Sequence, residues 1–132
     1  MKILFVCSGN AYRSPLAEVL LKKLRPDLQV DSAGTMVETR ISEATRKYSA
    51  KQNAEQYLKK IPESLKTKRL NTYDIIVAME QAHKNAVLIQ CPECRNKVVV
   101  WNIEDLGLRA SGYTEEINES IKEKVTELAR FL

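Results

Sequence analysis

The chain has 132 residues, 44% of them hydrophobic, and a formal net charge of +4 at pH 7. That length predicts one domain, residues 1–132, with a core of its own, and the apolar fraction is ordinary for a globular protein. No apolar run approaches the ~20 residues that cross a bilayer, the N-terminus lacks a signal-peptide pattern, and three cysteines do not make a secreted disulfide framework. No membrane role and a reducing, cytoplasmic setting are therefore expected.

Residues 2–6 form a continuous apolar run, as a strand buried on both faces would. Residues 15–25 read as a helix, with Leu16, Val19, Leu20 and Leu24 on one stripe and Pro26 as its stop. Ser14 reads as its N-cap and Pro15 as its first residue. Leu28–Asp31 is a short strand leading into a loop, Ser32-Ala33-Gly34-Thr35. Residues 40–60 read as a helix of modest amphipathicity, and 64–70 as a short one. Ile75–Met79 is a second buried strand, 81–90 a helix, and Lys97–Trp101 the fourth strand. Thr114 opens a terminal helix with Ile117, Ile121, Val125, Leu128 and Leu132 at helical spacing.

Strands alternating with helices imply right-handed crossovers. The predicted fold is α/β: a three-layer sandwich with a four-stranded parallel sheet and helices on both faces. Ligands bind such sheets at the carboxyl ends of the strands. The loops after residue 7, after residue 31 and over 102–113 should gather at that edge.

The positive charge concentrates in residues 36–70, where nine Lys/Arg face four Glu. A solvated helical face is the expected reading, and a basic rim that steers anionic substrates the sharper one. Two tyrosines and no binding motif give no support to a nucleic-acid partner.

The most informative segment is Cys7-Ser8-Gly9-Asn10-Ala11-Tyr12-Arg13-Ser14-Pro15, between the first strand and the first helix. Loop amides and a helix N-terminus aim N–H dipoles at one spot. Arg13 adds a planar fork suited to phosphate oxygens. The same field favours a thiolate at Cys7. A phosphate-binding loop is thus expected after the first strand, with Ser8, Gly9, Asn10, Ala11, Tyr12 and Arg13 holding the substrate.

This loop resembles the catalytic loop of the low-molecular-weight protein tyrosine phosphatases, Cys-x-Gly-Asn-x-Cys-Arg-Ser-Pro, at Cys7, Gly9, Asn10, Arg13, Ser14 and Pro15. "DSAGT" at 31–35 and "YDIIVAME" at 73–80 are similar to the family's second and third strands, "SLKTKRL" at 64–70 sits where the family has a Ser-His-containing segment, and "WNIEDLG" at 101–107 occupies the place of its acid loop. The resemblance implies hydrolysis of a phosphate monoester, on phosphotyrosine protein or a small phosphorylated substrate, through a phosphocysteine on Cys7. It implies Arg13 and the loop amides as the charge cradle, Asp105 as general acid, and a Ser14 hydroxyl that donates to Cys7. Nucleophile, cradle and acid all come from the protein, so no metal or cofactor is expected.

The chain departs from the family pattern at several places. Asp105 lacks the following proline and aromatics, and Glu104 stands beside it as an alternative acid. Trp101, Tyr113, Tyr12 and Tyr48 are the candidates for stacking on a substrate. Tyr12 replaces the family's second loop cysteine, and Leu65 stands where the family often has a supporting histidine. Ala11 offers no polar reader, a mild argument for phosphotyrosine over phosphoarginine.

Cys91-Pro92-Glu93-Cys94 resembles half of a zinc knuckle, but the single histidine, His83, leaves one chain short of four ligands. Three cysteines also match the number used by the related thioredoxin-coupled arsenate reductases, with a different spacing. Arsenate reduction by Cys7 with Cys91 and Cys94 is one alternative function. A non-catalytic phospho-ligand binder with an eroded acid loop is another. Two loop cysteines with a local covalent role or none remain the simplest reading.

Overall fold

The computed structural model describes residues 1–104 and 114–132. Its strands are β1 (Lys2–Cys7), β2 (Gln29–Gly34), β3 (Ile75–Ala78) and β4 (Val98–Val100); its α-helices are α1 (Arg13–Leu24), α2 (Glu43–Lys51), α3 (Gln81–Gln90) and α4 (Thr114–Phe131). Short 3-10 turns cover Glu55–Tyr57, Leu65–Thr67, Leu70–Thr72 and Pro92–Lys97. All strand pairs are parallel, in the order β2-β1-β3-β4. The predicted parallel sheet is therefore present, with β1 and β3 central.

Alternate residues of β1 point to opposite faces, as a strand's period of two requires. Ile3, Phe5 and Cys7 enter a cluster with Leu16, Val19, Leu20 and Leu21 of α1, Tyr48 of α2 and Ile117, Ile121 and Val125 of α4. Leu4 and Val6 enter the other cluster with Ala33, Leu65, Leu70, Tyr73 and Val87 of α3. Both faces of the sheet are thus covered, which gives the three layers. The chain leaves β1 toward β2 on one side and returns to β3 on the other. The crevice beyond the β1 and β3 carboxyl ends is a topological switch point.

Several predicted elements have different limits. Helix α1 starts at Arg13, so Ser14 lies inside the first turn and caps nothing. Strand β2 extends through the expected loop to Gly34, because Phe5, Val6 and Cys7 pair with Ser32, Ala33 and Gly34. The helix expected over 40–60 is only α2. Ser42 caps its start, its hydroxyl accepting from the Thr45 N–H at 3.2 Å. Asn53 ends it in the left-handed region (φ 56°), with the Ala54 N–H returning to the Ser49 carbonyl at 2.8 Å. The segment expected as a short helix over 64–70 is two 3-10 turns.

Candidate active site

The loop after β1 is held from outside by residues 35–45, which follow β2. The carbonyls of Cys7, Ser8, Gly9 and Ala11 accept from the N–H groups of Thr35, Met36, Glu38 and Ser42 at 3.1, 2.8, 2.9 and 2.9 Å. The Tyr12 carbonyl accepts from Leu16 N–H at 3.1 Å and from the Thr45 hydroxyl at 3.2 Å. In a planar trans peptide the N–H opposes the C=O. Planarity therefore directs the N–H groups of Ser8, Gly9, Asn10 and Tyr12 away from the 35–42 segment, an arrangement suited to receiving an anion. Gly34 permits the packing: a Cβ there would lie 2.5 Å from the Ser8 carbonyl oxygen.

Cys7 is a free thiol, 2% exposed, at the end of β1 where this loop begins. Its Sγ lies 2.9 Å from Ser14 Oγ. Ser14 Oγ in turn accepts from Asn10 Nδ2 at 2.9 Å. Either atom can donate across this contact, and against a thiolate the Ser14 hydroxyl is the donor. The expected Ser14–Cys7 contact is therefore present, and the placement of Ser14 inside the helix turn rather than at the cap is what brings it there.

Asn10 is fully buried at φ 53°. Its second Nδ2 proton goes to Ser32 Oγ at 2.9 Å, and its Oδ1 accepts from Lys59 Nζ at 2.9 Å and the Glu63 N–H at 2.7 Å. Ser32 Oγ donates to Glu18 Oε1 at 2.5 Å. None of Lys59, Glu18 or Glu63 was marked by the sequence as belonging to the site. Lys59 and Lys68 counted among a solvated basic face, yet their side chains are 8% and 9% exposed and pair with carboxylates. Only contact information separates such lysines from their solvated neighbours. Leu65, where the family often carries histidine, belongs to the apolar cluster under α3.

Arg13 is buried at 2% exposure. Its Nη1 donates to Glu80 Oε1 and to the Ile103 carbonyl, each at 2.6 Å. The loop that leaves β4 is thus tied directly to the arginine, and the Ile103 N–H is tied to the Met79 carbonyl at 2.8 Å. His83 Nδ1 accepts from the Glu80 N–H at 3.0 Å, which places the neutral ring's proton on Nε2. That Nε2 lies 2.9 Å from Ser8 Oγ. Residues Glu80 and His83, at the start of α3, therefore brace the loop from the β3 side. The candidate acid Asp105 lies outside the described residues, as does Tyr113. Glu104 is exposed, one residue beyond the Arg13 contact.

The remaining aromatic candidates have structural work. The Tyr12 hydroxyl donates to Asn118 Oδ1 at 2.6 Å, and burial pushes its pKa up to about 12, so it stays a donor to α4. Tyr48 donates to Glu119 at 2.9 Å. Trp101 packs its ring on Phe5, with centroids 5.5 Å apart.

Cys91 and Cys94 form a disulfide with each other. They follow the C-terminus of α3 and precede β4, at the amino edge of the sheet. Cys7 stands at the carboxyl edge, a strand length of roughly 15–20 Å away. His83 is at the opposite end of α3 from Cys91, about 12 Å along a helix rising 1.5 Å per residue. The pair is therefore placed neither to exchange with Cys7 nor to share a metal with His83.

Comparison with known proteins accords with this geometry. The family model described as "Low molecular weight phosphotyrosine protein phosphatase" matches residues 2–130. The low molecular weight protein-tyrosine-phosphatase Wzb of Salmonella typhi is 34% identical over 102 residues, covering 76% of this chain and 68% of that protein. The structure of Vibrio vulnificus Wzb in complex with benzylphosphonate superposes with a TM-score of 0.88 at 26% identity, covering 99% of this chain and 98% of that one. The YwlE arginine phosphatase from Geobacillus stearothermophilus shares the fold, with a TM-score of 0.86 at 23% identity over 98% of this chain and 90% of that one. A buried free cysteine at the end of β1, a buried arginine at the start of α1 and a family match over almost the whole chain converge on one assignment: the chain belongs to the low-molecular-weight phosphotyrosine protein phosphatase family and is a cysteine-based phosphatase.

Proposed function

We propose that the chain hydrolyses phosphotyrosine-type monoesters through a phosphocysteine on Cys7. The observation that carries this reading is the buried Cys7 sulfur at the end of β1, 2.9 Å from Ser14 Oγ at the start of α1. The loop amides and Arg13 receive the three non-bridging oxygens of the phosphoryl group and stabilise their charge in the transition state. The Cys7 thiolate attacks phosphorus in line. The S–P bond forms as the P–O(ester) bond breaks, and the leaving oxygen takes a proton from a carboxylic acid, assigned to Asp105. Water then attacks the phosphocysteine and gives a proton to that carboxylate. The S–P bond breaks, and the Ser14 hydroxyl stabilises the departing thiolate. Inorganic phosphate is released.

Three observations support these roles. Arg13 is locked by Glu80 and Ile103, so its fork is oriented before substrate arrives. The Arg13–Ile103 contact brings the start of the 104–113 segment to this loop. Ala11, in the loop between β1 and α1, carries only a methyl group, which suits an aromatic ester better than the polar guanidino group of phosphoarginine. The working thiolate at Cys7 fits a reducing, cytoplasmic setting, where a local disulfide such as Cys91–Cys94 is the exception. Among the described residues no helix is long and apolar enough to cross a membrane.

The test compares turnover of a phosphotyrosine peptide and a phosphoarginine peptide by the same preparation. Preference for phosphotyrosine in kcat/KM is the expected result. Preference for phosphoarginine would overturn the substrate assignment, and turnover of neither would favour the phospho-ligand-binder reading.

A further inference from the structure

We propose that Lys59 is a positioning residue for catalysis: through Asn10 it aims the Ser14 hydroxyl proton at the Cys7 thiolate. The inference rests on Cys7 being the nucleophile.

Lys59 Nζ lies beneath the phosphate loop, 2.9 Å from Asn10 Oδ1, 2.8 Å from the Ser32 carbonyl and 3.1 Å from Ser32 Oγ. The charged groups around it come from three elements. Glu63 Oε1 is 2.7 Å away, Glu18 Oε1 of α1 is 3.8 Å away and Asp31 Oδ1 of β2 is 3.9 Å away. Lys68 sits on the far side of the same carboxylates, 2.6 Å from Asp31 and 3.0 Å from Glu63. An ammonium at 8% exposure is costly unless paired and hydrogen-bonded. Its ion pairs and hydrogen bonds offset that cost.

What it holds is an orientation. An asparagine amide can be turned over, exchanging its oxygen and nitrogen. Here Oδ1 accepts from two donors, Lys59 Nζ and the Glu63 N–H, and both Nδ2 protons are given away, to Ser14 and Ser32. Turned over, Nδ2 would face an ammonium and an N–H. Ser32 Oγ accepts from Asn10 and Lys59, so its own proton goes to Glu18. Ser14 Oγ accepts from Asn10 and lies 2.9 Å from Cys7 Sγ, so against a Cys7 thiolate, which can only accept, the Ser14 hydroxyl is the donor. A cation on Oδ1 also polarises the amide, making each following donor in the chain stronger. The surrounding carboxylates offset the bare charge of Lys59, so its effect on Cys7 runs through this hydrogen-bonded chain.

Lys68 supplies the control. It pairs with Asp31 and Glu63 but makes no bond to Asn10. The experiment measures three quantities in the full chain for the parent, Lys59→Met and Lys68→Met: the rate of Cys7 alkylation by iodoacetamide against pH, kcat and KM on an aryl phosphate, and thermal stability. Both variants should lose stability. Only Lys59→Met should move the half-maximal alkylation pH, upward by about one unit, a tenfold smaller thiolate fraction on the acid side. Its kcat should fall about tenfold or more, with KM changed less, because Arg13 and the amides remain. Should Lys59→Met fail to fold, Lys59→Gln, which removes the charge and retains an amide donor, must show the same upward shift at smaller size. An unshifted alkylation profile in the folded Lys59 variant, or an equal shift in Lys68→Met, overturns the proposal. Full turnover in Cys7→Ser would instead remove the nucleophile assignment, leaving a distinct signature.

Discussion

Arg13 shows how little of a side chain's task is visible in its type alone. Its guanidinium is held from behind by a carboxylate and a carbonyl, at 2.6 Å each, which leaves the orientation of the fork fixed. A lysine keeps the charge but has neither the fork nor the two-sided anchoring. Arg13→Lys should therefore raise KM and lower kcat on an aryl phosphate together, with kcat/KM reduced by about 10²-fold or more, as for loss of a preorganised oxyanion donor. Near-parental kinetics would place Arg13 outside the site. The acid is tested on the leaving group. Asp105→Asn should slow a poor leaving group such as phenyl phosphate by about 10²–10⁴-fold, and a nitrophenyl ester carrying further electron-withdrawing groups much less. The same pattern from Glu104→Gln, with Asp105→Asn silent, would hand the role to Glu104. The residues of the loop motif were legible because nucleophile, glycine-asparagine turn and arginine stand together in the chain. Lys59, Glu18, Glu80 and His83 were not, because they reach the loop from distant segments through contacts no local spacing encodes.

At the scale of elements, the apolar runs of β1 and β3 and the stripes of α1 and α4 were readable because burial imposes period and composition on them. The helix over 40–60 is shorter than its spacing predicts, because the amphipathic spacing continues past the residue that ends α2. Asn53 in the left-handed region stops α2; asparagine is one of the few residues that favour that region, but it adopts it only in some contexts and so is a weak stop signal. The turns that follow carry Lys59, Glu63 and Lys68 to the back of β2. Burial raises the carboxyl of Asp31, but hydrogen bonds from Lys68 and the Ser32 N–H, with the charges of Lys68 and Lys59, outweigh it and hold the group below its ordinary range. Glu63 is likewise raised by burial and more strongly lowered by Lys59 and Lys68. A carboxyl depressed in the folded state stabilises the fold above its unfolded pKa of about 4, and that stabilisation disappears as pH falls through the folded value. Thermal stability should therefore drop as pH is lowered from about 5 to below 4. Lys68→Met should flatten that drop, since it removes a cause of both depressions. An unchanged acid slope in Lys68→Met would show that these carboxylates do not govern it.

For the whole molecule, the parallel sheet separates two chemistries by its two edges. The carboxyl edge carries Cys7, Arg13, the 35–42 segment and the start of the loop after β4. The amino edge carries the Cys91–Cys94 disulfide, seated in the cluster with Leu65, Leu70 and Val87. The strand-helix alternation made this architecture legible, whereas the pairing of Cys91 with Cys94 remained one of several readings because Cys-x-x-C spacing serves metal, redox and structural roles alike. The replacement Cys91→Ser/Cys94→Ser should leave aryl phosphate hydrolysis within about twofold while lowering thermal stability, and the parent should show no thioredoxin-coupled arsenate reduction; arsenate turnover lost in the double variant would contradict the separation of edges. The most direct test of the account is the covalent intermediate itself. Rapid acid quench of the enzyme turning over an aryl phosphate, followed by peptide mass spectrometry, should find a phosphoryl group on Cys7, and Cys7→Ser should lose turnover while still binding inorganic phosphate. A phosphoryl group found elsewhere, or turnover persisting in Cys7→Ser, would contradict it.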